Sequence, residues 1–322
     1  MVKSGLTILS GNAASSLLLL LRNLSVAVLI PVEDYGIAAT FAMAMAVVEM
    51  ATDLGLQQQI VQSDKGQDPR FQSALQGFQV LRGLIAGAVL YLLAAPLAAF
   101  MGVGEIAWAY QILAIVPVLN AFQHFDIHRM NRDMVFGPLI VTKTLPALLS
   151  LLVVWTLAVW MGDFRVMFWA IMLQITATLV LSHVVATRPY RVLFDLDVMR
   201  GSLAFGWPLL VNGALMFAVF QGDKVIVGRV LGMEALAVIA MGYMLTLTPM
   251  QVLSRSLQNF FLPQLSRGGD AFPKLAQVAL EAALFVSMVL LVGVSLAGPL
   301  LVTLVLGEKY AALAPLLYWM AL

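Results

Sequence analysis

Long apolar stretches separated by short polar connections run along the whole chain. One membrane-spanning helix needs about 20 predominantly apolar residues, and ten stretches meet or approach that length. They run roughly over residues 6–30, 37–61, 74–100, 105–125, 137–161, 164–186, 203–231, 235–262, 275–305 and 311 onward. The last, "YAALAPLLYWMAL", has room for only about half a crossing. The pattern predicts an all-α, polytopic membrane protein of about ten spans, with the last span truncated.

The second half of the chain repeats the hydropathy pattern of the first. A shift of 201 residues lays "LIPVEDYGIAATFAMAMAVVEM" over "VLGMEALAVIAMGYMLTLTPMQ", with Glu33 on Glu234. Six helices separate the two starts, and an even number of crossings restores direction, so the repeats are parallel and pseudo-symmetric about the membrane normal. We predict an N-terminal lobe over 1–186 (helices 1 to 6), a cytoplasmic linker over 187–202, and an incomplete C-terminal lobe over 203–322 (helices 7 to 10).

Lysine and arginine are concentrated in the connections on one side of the predicted membrane. Short cytoplasmic loops carry an excess of these residues, so this side is predicted to be cytoplasmic and to hold the N-terminus. The loops of the other side carry only Arg165 and Lys309. The basic residues of the predicted cytoplasmic side are Lys3, Lys65, Arg70, Arg129, Arg132, Arg188, Arg191, Arg200, Arg267 and Lys274.

Composition supports a membrane class and excludes several others. Apolar residues make up 61% of the 322 residues and charged residues 11%, against roughly 45–50% apolar in soluble domains. A net charge of +1 without a basic run indicates no nucleic-acid partner. Cysteine is absent, and His124 and His128 lack an evident third ligand, so no metal site is predicted. Without a phosphate loop, H-E-x-x-H or G-x-S-x-G motif, neither an enzyme nor a cofactor is predicted.

Three segments of the sequence carry a resemblance to a known family. They are "RNLSVAVLIPVEDYGIAATFAMAMAVVEMATDLGLQQQIVQ", "RMNRDMVFGPL" and "GDKVIVGRVLGMEALAVIAMGYML". Together they resemble bacterial polysaccharide (Wzx-type) flippases for O-antigen or exopolysaccharide, in the multidrug/oligosaccharidyl-lipid/polysaccharide exporter superfamily. The resemblance implies two lobes in the bacterial inner membrane that rock around a cavity and move a polyprenyl-diphosphate-linked oligosaccharide between leaflets. It also implies membrane lipids and other polysaccharide assembly proteins as partners.

Charged side chains inside the predicted spans are expected to face the protein interior or water, because each costs about 2.5–3.5 kcal/mol to insert at a helix centre. The basic ones suit an anionic diphosphate and are predicted to line the substrate cavity: Arg22, Arg82, Lys224 and Arg255. The acidic ones are predicted to gate or couple transport: Glu49, Asp53, Asp223 and Glu281. Glu49 and Asp53 are four residues apart and share one helical face, where one of them could carry a proton.

The same shift of 201 residues places opposite charges at matching depths of the two lobes. The predicted cross-lobe pairs, which would form and break as the lobes rock, are Arg22 with Asp223, Asp53 with Arg255, and Arg82 with Glu281. Arg22 and Asp223 would close the outer side while the cavity faces the cytoplasm. Lys224 would point away from that pair, towards substrate.

Two other functions stay open on these residues. A multidrug cation exporter of the same superfamily would share the fold, although the basic side chains of the predicted cavity favour an anion. A membrane enzyme of glycan assembly, such as a polymerase or ligase, would need a sizeable outer loop. The predicted outer connections, "PVEDYG" and "GEKY", are short.

Overall fold

The computed structural model describes residues 2–265 and 272–321, apart from the side chains of residues 2–10, 51, 252, 255, 256, 258–260, 262–265 and 272. Its regular elements are all helical, which confirms the predicted all-α class. The α-helices are α1 (Val2–Leu29), α2 (Val32–Thr52), α3 (Leu56–Gln62), α4 (Pro69–Phe100), α5 (Ala107–Leu113), α6 (Ile115–Ala121), α7 (Asp126–Arg132), α8 (Gly137–Trp160), α9 (Arg165–Val184), α10 (Leu196–Leu231), α11 (Met233–Leu265), α12 (Phe272–Leu301) and α13 (Leu313–Ala321).

Among the described residues, eight helical segments are long and apolar enough to cross a membrane, so the chain is a multi-pass membrane protein. They are Gly11–Leu29, Pro69–Phe100, Gly104–Ala121, Gly137–Trp160, Arg165–Val184, Leu196–Leu231, Met233–Gln251 and Pro273–Leu306. The predicted second and tenth spans are not among them. The second is interrupted after α2, and α13 is 9 residues long. The count of ten spans therefore stays a prediction.

The chain divides into two compact units, Met1–Leu236 and Ala237–Leu322. In the first unit, α8 packs between α1 and α9, α4 packs on α5 and α6, and α10 packs on α2. In the second unit, α12 packs on α13. The helix α10 thus lies in the first unit, although the sequence assigns most of it to the second lobe. The lobes predicted at 1–186 and 203–322, and their symmetry, stay predictions.

An aromatic cluster fixes α2 against α5 and α9 in the first unit. Phe41 is fully buried, and its ring centroid lies 5.3 Å from that of Tyr110 and 6.0 Å from that of Phe168, both edge to face. The buried Tyr110 hydroxyl is hydrogen-bonded to the Thr40 hydroxyl. A buried tyrosine needs such a partner for its polar end. The cluster combines apolar burial with one satisfied polar contact.

Glycines allow α4 and α10 to approach their neighbours closely. A Cβ atom at Gly83 would lie 2.1 Å from Cβ of Ala121, which brings α4 against α6. On α10, a Cβ atom at Gly213 would lie 2.1 Å from the carbonyl oxygen of Met50. No real side chain tolerates contacts this short. The backbone of α10 therefore rests on the C-terminal part of α2.

We expect Gly83→Ala to lower the melting temperature of the purified protein, because the added methyl has to push α4 away from Ala121. Overpacking of this kind costs about 1–3 kcal/mol, whereas Gly→Ala in a helix otherwise stabilises by roughly 0.5–1 kcal/mol. Gly201→Ala on α10 is the matched control, since an added Cβ there meets nothing within 4 Å. The control should keep or raise the melting temperature. Equal shifts for both variants would contradict the close approach at Gly83.

Candidate functional site

One face of α4 is polar along half its length, with side chains spaced four, three and three residues apart: Gln72, Gln76, Gln79 and Arg82. Gln76 is almost completely buried. Its Nε2 donates to the carbonyls of Ala121 and Gln123, both at 3.2 Å, and its Oε1 accepts from the N–H of Phe125 at 3.0 Å. Every polar atom of this amide is satisfied, as burial requires. The polar face thus holds α4 to the end of α6 and leads to Arg82.

The predicted second span is broken between α2 and α3. Gly55 adopts a left-handed conformation (φ 62°), and its N–H donates to Oδ1 of Asp53 at 2.9 Å. Ending a helix leaves its last carbonyls without helical partners. Arg82 supplies one, because its Nη1 donates to the carbonyl oxygen of Thr52 at 2.9 Å and lies 3.9 Å from Oδ1 of Asp53. The guanidinium therefore caps the negative end of α2.

A polar cavity of about 280 Å³ opens beside this break, within the first unit. Its polar wall consists of Glu49, Thr52, Gln57, Gln79, Arg82, Asn120 and Gln123. The Nε atom of Arg82 is buried and has no hydrogen-bond partner among the described residues. The cavity therefore offers amides, a carboxylate and an arginine N–H group. Such groups can hold the hydroxyl groups of a sugar, an anionic oxygen or a cation.

The structure brings together three of the eight side chains that the sequence proposes for function. Glu49 and Arg82 line the cavity, and Asp53 adjoins it through Arg82. The predicted partner of Arg82, Glu281, lies in the second unit, where it accepts from Nε2 of Gln277 at 2.8 Å. The side chain of Arg255 is outside the described residues. The pairs Arg82–Glu281 and Asp53–Arg255 stay predictions.

Arg22 lies elsewhere in the first unit, where α1 meets α8 and α9. Its Nη1 donates to Oε1 of Gln174 at 2.5 Å and to Oγ of Ser150 at 3.3 Å, and its Nε and Nη2 donate to Oδ1 of Asn23. The side chain is buried. In the part of the chain that the structure describes, no carboxylate lies within ion-pair distance of it. Among the side chains that the structure describes, only neutral oxygens accept from this arginine.

Asp223 and Lys224 lie on α10 with local partners. Oδ1 of Asp223 accepts from the backbone N–H of Lys224 at 2.8 Å. Nζ of Lys224 donates to Oε1 of Gln221 at 3.0 Å and to the carbonyl oxygen of Phe220 at 3.2 Å. The described residues contain no Arg22–Asp223 ion pair. The outer gate between them stays a prediction about the transport cycle.

A buried carboxylate ties α7 to the segment before α10. Asp126 is fully buried and accepts from Nε of Arg129 at 2.6 Å, from both the N–H and the hydroxyl of Thr187 at 2.8 and 2.9 Å, and from the N–H of Arg188 at 3.1 Å. Burial acts to raise the pKa of Asp126, but these hydrogen bonds outweigh it and hold the pKa well below its usual range. Asp126 is therefore ionised at neutral pH.

Sequence reasoning missed several of these polar residues for two different reasons. The face of α4 that leads to Arg82 has helical spacing and was readable, as was the spacing of three between Asn120 and Gln123. The partners of Arg22 on α8 and α9 had no such signal. Asp126 was equally hidden, because its partners at Thr187 and Arg188 are more than 60 residues away. Such sites become visible only when the helices are placed in space.

Comparison with known proteins adds the family to this geometry. Residues 26–315 match the model of a family described as polysaccharide biosynthesis protein. The chain belongs to this family. Among solved structures, a protein described as "Inward-facing conformation of a multidrug resistance MATE family transporter of the MOP superfamily" is similar, with a TM-score of 0.72 and 14% identity over 95% of this chain and 78% of that one. Family and fold agree with the resemblance drawn from the sequence. A comparison with curated proteins finds no match.

We expect Asp126→Asn to lower the free energy of unfolding by roughly 3 kcal/mol, because it leaves Arg129 without its buried partner. The depressed pKa of Asp126 means that its contribution is present at neutral pH and is lost as the pH falls below about 4. Thermal melts of the purified wild type should therefore show an acid decline that the variant shows only weakly. Asp163→Asn is the matched control, since its pair with Arg165 is partly exposed and worth about 0–1 kcal/mol. Equal losses in the two variants would contradict the assignment.

Proposed function

We propose that the protein is a flippase that moves a polyprenyl-diphosphate-linked oligosaccharide across the bacterial inner membrane for polysaccharide biosynthesis. The observation that carries the proposal is the polar cavity beside the break between α2 and α3, lined by Arg82, whose buried Nε has no hydrogen-bond partner among the described residues. Polar side chains at membrane depth are costly and are generally found where a substrate or ion passes. The family matched by the chain supports the polysaccharide class of substrate.

The chemistry of the cavity fits the two parts of such a substrate. Amide side chains such as Gln79, Asn120 and Gln123 can donate to and accept from sugar hydroxyls. Arg82 can bind a phosphate oxygen with a charge-assisted hydrogen bond. At about 280 Å³ the cavity is near the lower end of small-ligand pockets, which span about 300–1,000 Å³. It therefore accommodates one sugar or one phosphate group in this conformation, and the rest of the substrate has to lie outside it.

The break between α2 and α3 gives this cavity a means of responding to substrate. Discontinuous helices at membrane depth form binding sites in many transporters, because their free backbone ends bind charged groups. Here Arg82 divides its contacts between the carbonyl of Thr52 and the carboxylate of Asp53. A bound phosphate would compete with both acceptors for the guanidinium. Substrate binding would thereby loosen the end of α2, which is one way to start the rocking of the lobes.

A multidrug cation exporter is the second candidate, and the acidic side chains favour it. Glu49 lines the cavity and Asp53 lies beside it, so a cation would find a carboxylate there. The similar solved structure is described as a multidrug resistance transporter, and at 14% identity it supports the fold alone. The two candidates differ in which charge of the cavity holds the substrate. Substitution of the arginine and of the acid separates them.

We expect Arg82→Gln in the full chain to reduce surface glycan at least tenfold and to cause lipid-linked precursor to accumulate, in cells that lack the native protein. The loss of one charge-assisted hydrogen bond, about 1.5–3 kcal/mol, accounts for this factor. Arg165→Gln is the matched control, because its pair with Asp163 lies at the exposed start of α9. Efflux of a fluorescent cation should be the same in strains that carry the wild type, Arg82→Gln or Arg165→Gln. Normal glycan with lost cation efflux in Glu49→Gln would instead support the multidrug exporter.

The predicted outer gate has its own charge-swap test. Arg22→Asp and Asp223→Arg should each impair glycan export at matched membrane levels, and the double swap should restore part of it. Arg22→Asp also disturbs the contacts with Gln174 and Ser150, so membrane insertion and melting temperature are measured alongside. If the double swap exports no better than the worse single variant, the gate between Arg22 and Asp223 is wrong.

A further inference from the structure

A second cavity, of about 260 Å³, lies where the spans Pro69–Phe100 and Arg165–Val184 meet the predicted cytoplasmic side. Its lining includes Gln72, Ser73, Gln76, His124, Arg188 and Arg191. None of these residues lines the polar cavity described above. The cavity lies at the predicted edge of the membrane and has arginines on one wall, so the charge of that wall determines which ligand it can bind.

Neither arginine of this cavity has an acidic partner for its guanidinium among the described residues. Arg188 donates to Oε1 of Gln72 at 2.8 Å and to the carbonyl oxygen of Gln67 at 3.0 Å, both neutral acceptors. Arg191 is exposed and has no hydrogen bond or ion pair among the described residues. The nearby carboxylates are already engaged, Asp126 by Arg129 and Asp195 by Arg70. The cavity therefore has a net positive wall.

A buried histidine lines the same cavity. His124 is 3% exposed, and its Nδ1 accepts the N–H of Asp126 at 3.1 Å, so in the neutral ring the hydrogen lies on Nε2. Burial lowers the pKa of His124 and keeps the ring neutral, although Asp126 opposes this. The backbone of Arg188 is near the ring, but among the described residues Nε2 has no partner with hydrogen-bond geometry. Nε2 therefore has only a weak contact with the backbone of Arg188, and a phosphate oxygen would be a stronger acceptor for its hydrogen.

The segment that carries Arg191 continues into apolar side chains that are exposed. Val192, Phe194 and Leu196 are 40%, 60% and 68% exposed. Basic residues followed by exposed apolar ones are typical of segments that lie at a membrane surface, where the cations meet lipid phosphates and the apolar groups enter the acyl boundary. The arrangement therefore matches one molecule with an anionic head and an apolar tail.

We propose that this cavity binds the phosphate of an anionic phospholipid of the cytoplasmic leaflet, with Arg188, Arg191 and Nε2 of His124 as donors. The phospholipid is a ligand distinct from the transported substrate, and the site is independent of the function proposed above. Free phosphate shares the same chemistry but lacks the tail that Val192, Phe194 and Leu196 would contact. The lipid holds the segment before α10 against the start of α4.

The test titrates phosphatidylglycerol into the purified full chain in detergent and counts bound lipid by native mass spectrometry. Arg191→Ala removes no contact within the described residues, so it should fold, and we expect it to bind phosphatidylglycerol about tenfold more weakly. His124→Asn keeps an acceptor for the N–H of Asp126 but loses the Nε2 donor, and binding about fivefold weaker is expected. Arg165→Ala, on the other side of the protein, should bind like the wild type.

Two further probes test the assignment to an anionic phospholipid: a lipid without net charge, and a phosphate without a lipid tail. Phosphatidylcholine, whose choline cation cancels the charge of its phosphate, should bind at least tenfold more weakly than phosphatidylglycerol. Inorganic phosphate at the same concentration should neither bind nor displace the lipid. Equal binding of phosphatidylglycerol by the wild type and Arg191→Ala would overturn the site. Displacement of the lipid by inorganic phosphate at equal concentration would overturn its assignment to a lipid.

Discussion

The hydrogen bond from Arg82 to the carbonyl of Thr52 is the contact on which the arrangement of the first unit depends. A helix that stops leaves its last carbonyls without helical partners, and each needs another donor. Arg82 is that donor, and it carries its own charge into the same place, where Asp53 balances part of it. Because α2 can stop here, α3 turns aside and the polar cavity has room to form between α2, α4 and α6.

The rest of α4 is built to support that contact. Its glutamines satisfy backbone groups at the end of α6, while Gly83 on the next turn lets α6 come close enough for them to reach. The same face continues outward to Gln72, which meets Arg188 and Asp126 near the predicted cytoplasmic surface. One helix face therefore connects the surface cluster around Asp126 with the cavity around Arg82. A displacement of α4 would therefore move side chains in both the Asp126 cluster and the Arg82 cavity.

The sequence predicted the long spans well because their apolar length alone defines them. The predicted stretch 137–161 corresponds to the helix Gly137–Trp160, and the predicted stretch 164–186 corresponds to Arg165–Val184. It did not predict the break after α2, because the second stretch was read as one span that runs through Gly55 and on into α3, although four of the seven residues of α3 are glutamines. Of the residues at or beside the polar cavity, the sequence singled out Glu49, Asp53 and Arg82, because charge is conspicuous in an apolar chain. The neutral partners of Arg22 were not found, because they are contributed by separate helices that only packing brings together.

The neutral surroundings of Arg22 have an electrical consequence. Asn23, Ser150 and Gln174 solvate the guanidinium without cancelling its charge, so the group formed by α1, α8 and α9 carries net positive charge at this position. A unit charge that crosses the whole membrane exchanges about 2.3 kcal/mol with a potential of 100 mV. Any movement of these helices along the membrane normal therefore does work against, or draws work from, the membrane potential in proportion to the fraction of the field that Arg22 traverses.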